Sequence, residues 1–362
     1  MIKFLELTNF DNDLDNDIHY AFKKVFEKGI FVNGDNVDNF ENNFKTVSNS
    51  NYCVSCGNGM DALTIILKSL NLKQNSKVLV PAQTFIATYL SIIAAGCIPI
   101  PVDVNEDTCL LSLEDAKKRI SDDTTAMVFV NLFGFGISHD EAQKFCNYHD
   151  IKLIYDSAQS HLTTFDDVFL TSYGSHAVSF YPGKNLGAYG DGGAILTNDE
   201  NIHAFAKKYR NYGSKEKYNH EIIGVNSRLD ELQAAFLNEK LKRLPDWTEK
   251  RREQANIYLQ NINNKKIKLP KIDKKLNPSW HLFPIRVYKR KLFQEYMNQK
   301  NIQTLIHYPK LPINSLALES FEYNSESFKN AQDWENNEVS IPIGPHLNEI
   351  QIMKIVDAIN KF

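Results

Sequence analysis

The residue with the most chemical promise in this chain is a lysine, Lys184, in the segment VSFYPGKNLGAYGDGGA. It follows an apolar run ending at Phe180 and precedes Gly187, Gly190, Gly192 and Gly193. Glycines let a backbone come close to a ligand. A lysine so placed could form a Schiff base, bind phosphate or stand on the surface. The loop has neither the Walker spacing with GK[ST] nor the order GxGxxG, so a nucleotide loop is weakly supported. Asp156 closes the run KLIY. An acid at the C-terminal end of a parallel strand lies on the ligand-binding edge of a sheet, although it also suits capping of the next helix. Gln159 lies three residues on, on the same side of a helical turn. The segment CGNGMDAL, Cys56 to Leu63, is a glycine-bearing turn opening an amphipathic helix. Free N–H groups at such an end bind anions, phosphate above all; a tight turn without a ligand fits the same residues. Phe85, in PAQTFIAT after the run KVLV, is either a stacking face for a flat ligand or ordinary core.

These parts gain force together. An amine for an imine, a carboxylate for a ring nitrogen, a phosphate nest and a stacking face are what pyridoxal phosphate requires. The carboxylate keeps the pyridine nitrogen protonated, and the ring then accepts electrons from a substrate carbon. The freed lysine amine carries protons.

The elements that must position these residues can be read from periodicity. Lys77–Val80, Ile98–Val102, Ala126–Val130, Lys152–Tyr155 and Ala177–Phe180 are nearly continuous apolar runs, as strands covered on both faces should be. Met60, Leu63, Leu67 and Leu70 form a helical stripe. Ser138 to Glu141 reads as a capping box for a helix to about His149. Strands alternating with helices predict an α/β fold with a parallel sheet and right-handed crossovers. Leu232, Phe236, Leu241 and Leu244 predict a longer helix from Leu229 that ends before Pro245. The lysine-rich stretch Asn264–Pro278 reads as a solvated linker. The expected division is a large domain, 1–245, and a smaller C-terminal α/β domain, 246–362.

Length and composition set the outer bounds. The 362 residues suggest about two domains, and 43% hydrophobic with 23% charged residues is ordinary globular composition. A net charge of −3 gives no field to drive nucleic-acid or membrane binding. No stretch approaches the roughly 18 apolar residues of a membrane span. The acidic start, MIKFLELTNFDNDLDND, is not expected to be a signal peptide. Five cysteines without a pattern fit a reducing cytoplasm. Cys53 and Cys56 form a lone CxxC, read as the end of a buried strand rather than a metal site.

With these residues in hand, the chain resembles the DegT/DnrJ/EryC1/StrS sugar aminotransferases. The resemblance covers nearly the whole chain through PAQTFIAT, VNLFGFG, YDSAQSH, SFYPGKNLGAYGDGGAI, RNYGSKEKY and GVNSRLDELQAA. It implies the aminotransferase fold of type I and pyridoxal 5'-phosphate as cofactor. Lys184 would be the Schiff-base lysine, Asp156 the partner of the ring nitrogen, and Gln159 a neighbour of the ring hydroxyl. Phe85 would stack on the ring. Gly59 and Met60 would hold the phosphate by backbone amides, since Met60 lacks the hydroxyl of the threonine often found there, and Ser179 would add a hydroxyl. Asn226 would reach the cofactor phosphate of a second subunit, implying a homodimer with shared sites; its alternative is a helix N-cap. The segments WHLFPIRV, TLIHYPKLP and SIPIGPH resemble a subgroup that aminates C3 of dTDP-3-keto-6-deoxyhexoses. In that reading Tyr181, His307 and Tyr308 touch the sugar, and Arg210, Lys215 and Lys217 approach its diphosphate. The implied reaction moves an amino group from L-glutamate to the keto sugar, giving a dTDP-3-amino-3,6-dideoxyhexose for surface polysaccharide. Alternatives are a C4 aminotransferase or a non-catalytic cofactor- or nucleotide-sugar-binding regulator. A sugar dehydratase would carry histidine in place of Lys184. A nicotinamide-dependent reductase would need an early GxGxxG, and none is present.

Overall fold

The computed structural model describes residues 1–8, 11–216 and 218–362. The main sheet is built from β1 (Tyr52–Cys56), β2 (Lys77–Pro81), β3 (Ile98–Val102), β4 (Thr124–Val130) and β5 (Lys152–Asp156). A short hairpin of β6 (Thr164–Phe165) and β7 (Val168–Phe169) follows, then β8 (Ser175–Ser179) and β9 (Gly193–Thr197) complete the sheet. Its seven strands lie in the order β1-β9-β8-β5-β4-β2-β3. β3, β2, β4, β5 and β8 are parallel, and β9 runs antiparallel to both β8 and β1. The fold is thus α/β with a large, mostly parallel sheet. β9 runs antiparallel because residues 180–192 hold no crossover helix, without which a strand returns antiparallel.

Both faces of the sheet are covered, and side chains alternate between two apolar clusters. Cys53, Val178, Ala194 and Leu196 join one. Val54, Cys56, Ala177 and Ile195 join the other. Cys53 and Cys56 therefore point to opposite faces of β1 and cannot pair. Both are free and buried, and no metal-holding group of His, Cys, Asp or Glu occurs among the described residues.

Helices α1 (Asn12–Lys28), α2 (Asp35–Val47), α3 (Gly59–Ser69), α4 (Ile86–Ala94), α5 (Leu113–Arg119), α6 (His139–Tyr148) and α7 (Glu200–Tyr209) precede a short β10 (Ser214–Glu216) and β11 (Asn219–His220) pair. The predicted stripe lies on α3, where Leu63 and Leu67 are buried. Ser138 is the N-cap of α6, but its side chain makes no capping hydrogen bond. The capping box read from the sequence is therefore absent. Instead of one helix ending at Pro245, α8 (Glu231–Leu241) stops short and α9 (Leu244–Asn261) starts with the proline in its first turn. Proline costs nothing there, because the first N–H groups of a helix have no partner to lose.

A smaller antiparallel sheet, β12-β14-β15, follows α9. It consists of β12 (Ile267–Lys268), β14 (Phe283–Val287) and β15 (Glu338–Ile341), with β13 (Leu276–Asn277) pairing back onto β6. α10 (Arg290–Gln299), α11 (Lys329–Asn337) and α12 (Glu349–Asn360) accompany it. The lysine-rich stretch carries β12 and β13, and its lysines pair with acids elsewhere: Lys268 with Glu106, Lys271 with Asp107 at 3.5 Å and Lys275 with Asp166 at 3.0 Å. No described helix is long and apolar enough to cross a membrane.

One buried carboxylate locks the N-terminal helices to α8. Glu231 accepts the N–H groups of Gly34 at 2.8 Å, Asn36 at 3.1 Å and Val37 at 3.0 Å, and the Asn36 amide at 2.9 Å. These are the orphan donors at the start of α2, and a negative charge there is also favoured by the helix dipole. Glu231→Ala should cost about 3 kcal/mol, since it abandons one buried and several part-buried N–H groups at once. Glu231→Gln should also destabilise, because it turns an NH2 toward donors. Thermal melts would check this, and wild-type melting of both variants would contradict it.

Candidate active site

The C-terminal ends of β5 and β8 bring the site together. β5 delivers Asp156, and β8 ends on Ser179 before the lysine loop. The loop is fixed at several points. The Lys184 N–H donates to the Tyr181 carbonyl at 2.8 Å, and that of Ala188 to the Phe180 carbonyl at 2.8 Å. Asn185 donates to the Ser279 carbonyl at 3.0 Å and meets His281 Nδ1 at 3.1 Å. A Cβ at Gly187 would lie 2.2 Å from the Pro182 oxygen, so this turn admits only glycine. Lys184 Nζ makes no hydrogen bond or ion pair among the described residues. Burial pushes its pKa down to about 8, while the Asp156 charge acts to raise it.

Asp156 is buried and held on both oxygens. Oδ2 accepts the Thr88 hydroxyl at 2.9 Å, and Oδ1 accepts the Ala158 N–H at 3.1 Å. With its proton given to Asp156, Thr88 Oγ1 must accept from Thr84, 3.0 Å away. Burial raises the Asp156 pKa, opposed by these two bonds and by the Lys184 charge. A cation beside it would therefore keep it ionised. Gln159 Oε1 accepts the Phe133 N–H at 2.6 Å, and its Nε2 donates to the Tyr308 hydroxyl at 2.9 Å. The second amide N–H of Gln159 has no partner among the described residues and is open to a ligand.

The phosphate nest is equally specific in shape. Gly59 and Met60 open α3, where their N–H groups have no carbonyl one turn back. Asn58 caps the helix through Asp61 N–H at 2.8 Å. Ser227 accepts the Gly57 N–H at 2.9 Å and donates to Asp61 at 2.6 Å. A Cβ on Gly59 would lie 2.8 Å from the Ser179 Cβ, and one on Gly193 would lie 2.4 Å from the Asn58 carbonyl. Ser179 Oγ accepts the Tyr181 N–H at 3.2 Å.

Phe85 keeps 53% of its surface exposed and stands 5.3 Å from the Tyr308 ring. Tyr181 is 60% exposed. The His307 ring stacks on Phe4 at 5.7 Å, and its pKa falls to about 4 through burial and the Lys184 charge. Asn226 is exposed and bridges Asn211, while Asp230 is the N-cap of α8, so the capping alternative for Asn226 does not hold. Arg210 turns Nη1 inward, donating to Glu41 and to the carbonyl and hydroxyl of Ser55. Lys215 is exposed, and Lys217 lies outside the described residues.

Several site residues were not foreseen. Thr84 and Thr88 lie within PAQTFIAT, but only folding shows that they form a hydroxyl chain to Asp156. His161 and His281 both feel the Lys184 charge, and burial drives His161 down to about 3. Ser340 opens the segment SIPIGPH and Glu338 lies two residues before it, but neither carries a further signal in the sequence.

The residues fit pyridoxal phosphate. An unpartnered amine, a carboxylate ready to be ionised by a cation, free helix-end amides and a cradle that excludes Cβ atoms converge on one sheet edge. Fold and site together define an aminotransferase of fold type I. The chain belongs to the DegT/DnrJ/EryC1/StrS aminotransferase family, whose profile matches residues 12–360. That membership makes it a pyridoxal-phosphate-dependent nucleotide-sugar aminotransferase. It is 39% identical, over 100% of this chain and 99% of the relative, to dTDP-3-amino-3,6-dideoxy-alpha-D-galactopyranose transaminase of Aneurinibacillus thermoaerophilus. Among solved structures, S. venezuelae DesV in complex with a ketimine intermediate superposes with a TM-score of 0.97 at 33% identity, covering 99% of this chain and 98% of that one. Bacillus subtilis ntda with bound cofactor pmp gives 0.91 at 26% identity, covering 99% and 84%.

The lysine's lowered pKa has a testable consequence. Only the neutral amine attacks a carbonyl, so uptake of pyridoxal phosphate by the apoprotein should rise roughly fiftyfold from pH 6 to pH 8 and then level off. Stopped-flow absorbance would record it, and a flat profile would contradict the assignment.

Proposed function

We propose that this chain transfers the amino group of L-glutamate to C3 of a dTDP-linked 3-keto-6-deoxyhexose, yielding a dTDP-3-amino-3,6-dideoxyhexose for surface polysaccharide. The observation that carries the reading is Lys184, a lowered-pKa amine facing Asp156 beside the free helix-end amides of Gly59 and Met60. The choice of C3 is supported by full-length similarity to the dTDP-3-amino-3,6-dideoxygalactose enzyme.

When bound, pyridoxal phosphate withdraws electrons from the substrate carbon and makes its C–H acidic. Lys184 Nζ then takes and returns the proton. Asp156 presents its charge to the ring nitrogen, and the spare N–H of Gln159 faces the ring hydroxyl. The Gly59 and Met60 amides and the Ser179 hydroxyl bind the phosphate, and Phe85 covers the ring. Tyr181, His307 and Tyr308 orient the sugar. Asn226 serves the site of a second copy in a cytoplasmic homodimer, a reading supported by its exposure and by the exposed Phe26 and Ile223. Residues from about 246 onward act as the smaller unit that closes over the lysine.

The test supplies the loaded enzyme with glutamate and, separately, dTDP-linked 3-keto and 4-keto 6-deoxyhexoses. The expected result is 2-oxoglutarate and a 3-amino product, identified by mass spectrometry and NMR. Amination of the 4-keto sugar alone would replace C3 by C4, and no amination of either would remove the substrate class.

A further inference from the structure

His307 does not act alone. The segment before it joins the free edge of β15, with Leu305 N–H on the Ser340 carbonyl at 3.1 Å and Ser340 N–H on the Leu305 carbonyl at 2.8 Å. This antiparallel bridge puts His307 opposite Glu338. The His307 N–H donates to Glu338 Oε2 at 2.6 Å. Ser340 Oγ lies 2.5 Å from Glu338 Oε1 and 2.9 Å from His307 Nδ1. His307 Nε2 has no partner among the described residues.

We propose that Glu338 and Ser340 are positioning residues that set whether His307 Nε2 presents a lone pair or an N–H to the substrate, and that a proton on Glu338 reverses the choice. This rests on the reading above, in which His307 touches the sugar. One hydroxyl proton must serve two neighbours. With Glu338 ionised, the Ser340 hydroxyl donates to Oε1, so Oγ must accept from Nδ1–H, and Nε2 is left as an acceptor. With Glu338 protonated, Oε2 still receives the His307 N–H, so the acid proton sits on Oε1 and is donated to Oγ. The hydroxyl then turns to Nδ1, and the ring proton resides on Nε2. The chain of groups takes up one proton from solvent in all, and no covalent bond between heavy atoms changes.

Two further features support the proposal. The imidazole stays neutral across the working range, because burial and the Lys184 charge hold its pKa at about 4. The position of its single proton is therefore what matters. Glu338 is fully buried with no cation on its carboxylate among the described residues, and burial pushes its pKa up to about 8 against the Ser340 and His307 hydrogen bonds, so it changes state near neutral pH. The groups around it offset this only in part. Arg290 of α10 donates to the Glu335 and Glu338 carbonyls rather than to the carboxylate, so only its charge opposes the effect of burial. Arg286 of β14 pairs with Asp333 of α11. The Cys109 thiol and the Tyr308 hydroxyl, both pushed up by burial, stay neutral beside it.

The test uses 15N-histidine-labelled protein loaded with pyridoxal phosphate. The His307 signals, assigned with His307→Gln, report which ring nitrogen carries the proton between pH 6 and pH 9. The expected wild-type result is Nε2–H at the low end and Nδ1–H at the high end. In Glu338→Gln the side-chain oxygen accepts the His307 N–H and the amide donates to Ser340, so Nε2–H should persist throughout. Ser340→Ala, a milder change, should uncouple the ring from pH. The wild-type kcat should change about tenfold over this range, and the Glu338→Gln profile should lose that step. A wild-type ring with one tautomer at all pH values would overturn the proposal without any variant. So would a Glu338→Gln or Ser340→Ala protein that still switches. A tautomer switch with no step in kcat would uphold the relay and reject His307 as a substrate contact.

Discussion

Replacing Lys184 with alanine should lower turnover by about 10⁴-fold while leaving the fold intact. The loss has two sources. In the proposed mechanism the amine both bonds the cofactor covalently and acts as the base that moves the proton. The side chain makes no hydrogen bond or ion pair among the described residues, so the melting temperature should hold or rise as a buried amine is removed. Lys184→Arg should be as inactive, because a guanidinium keeps its proton at any working pH. Retained turnover in Lys184→Ala, measured as 2-oxoglutarate formed per enzyme, would remove the basis of the mechanism.

Asp156→Asn should lower kcat by roughly 10²- to 10³-fold, the scale seen when one electrostatic partner of a transition state is removed. Asparagine keeps the shape and can still accept from one of the two donors, the Thr88 hydroxyl or the Ala158 N–H, but it brings no charge to hold a proton on a ring nitrogen. A second effect has a definite sign. The Asp156 charge raises the Lys184 pKa against burial. Without it the amine should lose its proton at lower pH, and the rise in cofactor uptake should move to more acidic pH. A variant with wild-type kcat and an unmoved uptake profile would show that Asp156 only packs beneath the site.

Asp156, Lys184 and the α3 nest were legible because each lies in a short segment whose own residues fix its geometry. The strands that carry them were legible for a related reason: buried parallel strands are continuous apolar runs. β9 is as apolar as its neighbours, and sequence composition does not encode strand direction. α9 escaped notice because half of its buried residues are polar, with Thr248, Arg251 and Gln254 inside. Arg251 explains why: its Nη1 donates to the carbonyls of Trp280, His281 and Ile343, contacts made only in the folded chain. Arg210 misled in the opposite direction. A basic residue in the loop RNYGSKEKY reads as an anion contact, yet Glu41, far off in sequence, pairs with it. Glu338 stayed hidden for the same reason, since its partners are assembled by the bridge between Leu305 and Ser340.

The most direct test of the account is the absorption spectrum of the pyridoxal-phosphate-loaded protein before and after glutamate, with Lys184→Ala alongside. The account predicts a long-wavelength band of lysine-bound cofactor that glutamate shifts to the shorter wavelength of the aminated cofactor, and that a keto sugar restores. The alanine variant should show neither the band nor its recovery. A wild-type protein that takes up no pyridoxal phosphate, or whose band glutamate leaves unchanged, would contradict the assignment of Lys184 and the roles built around it.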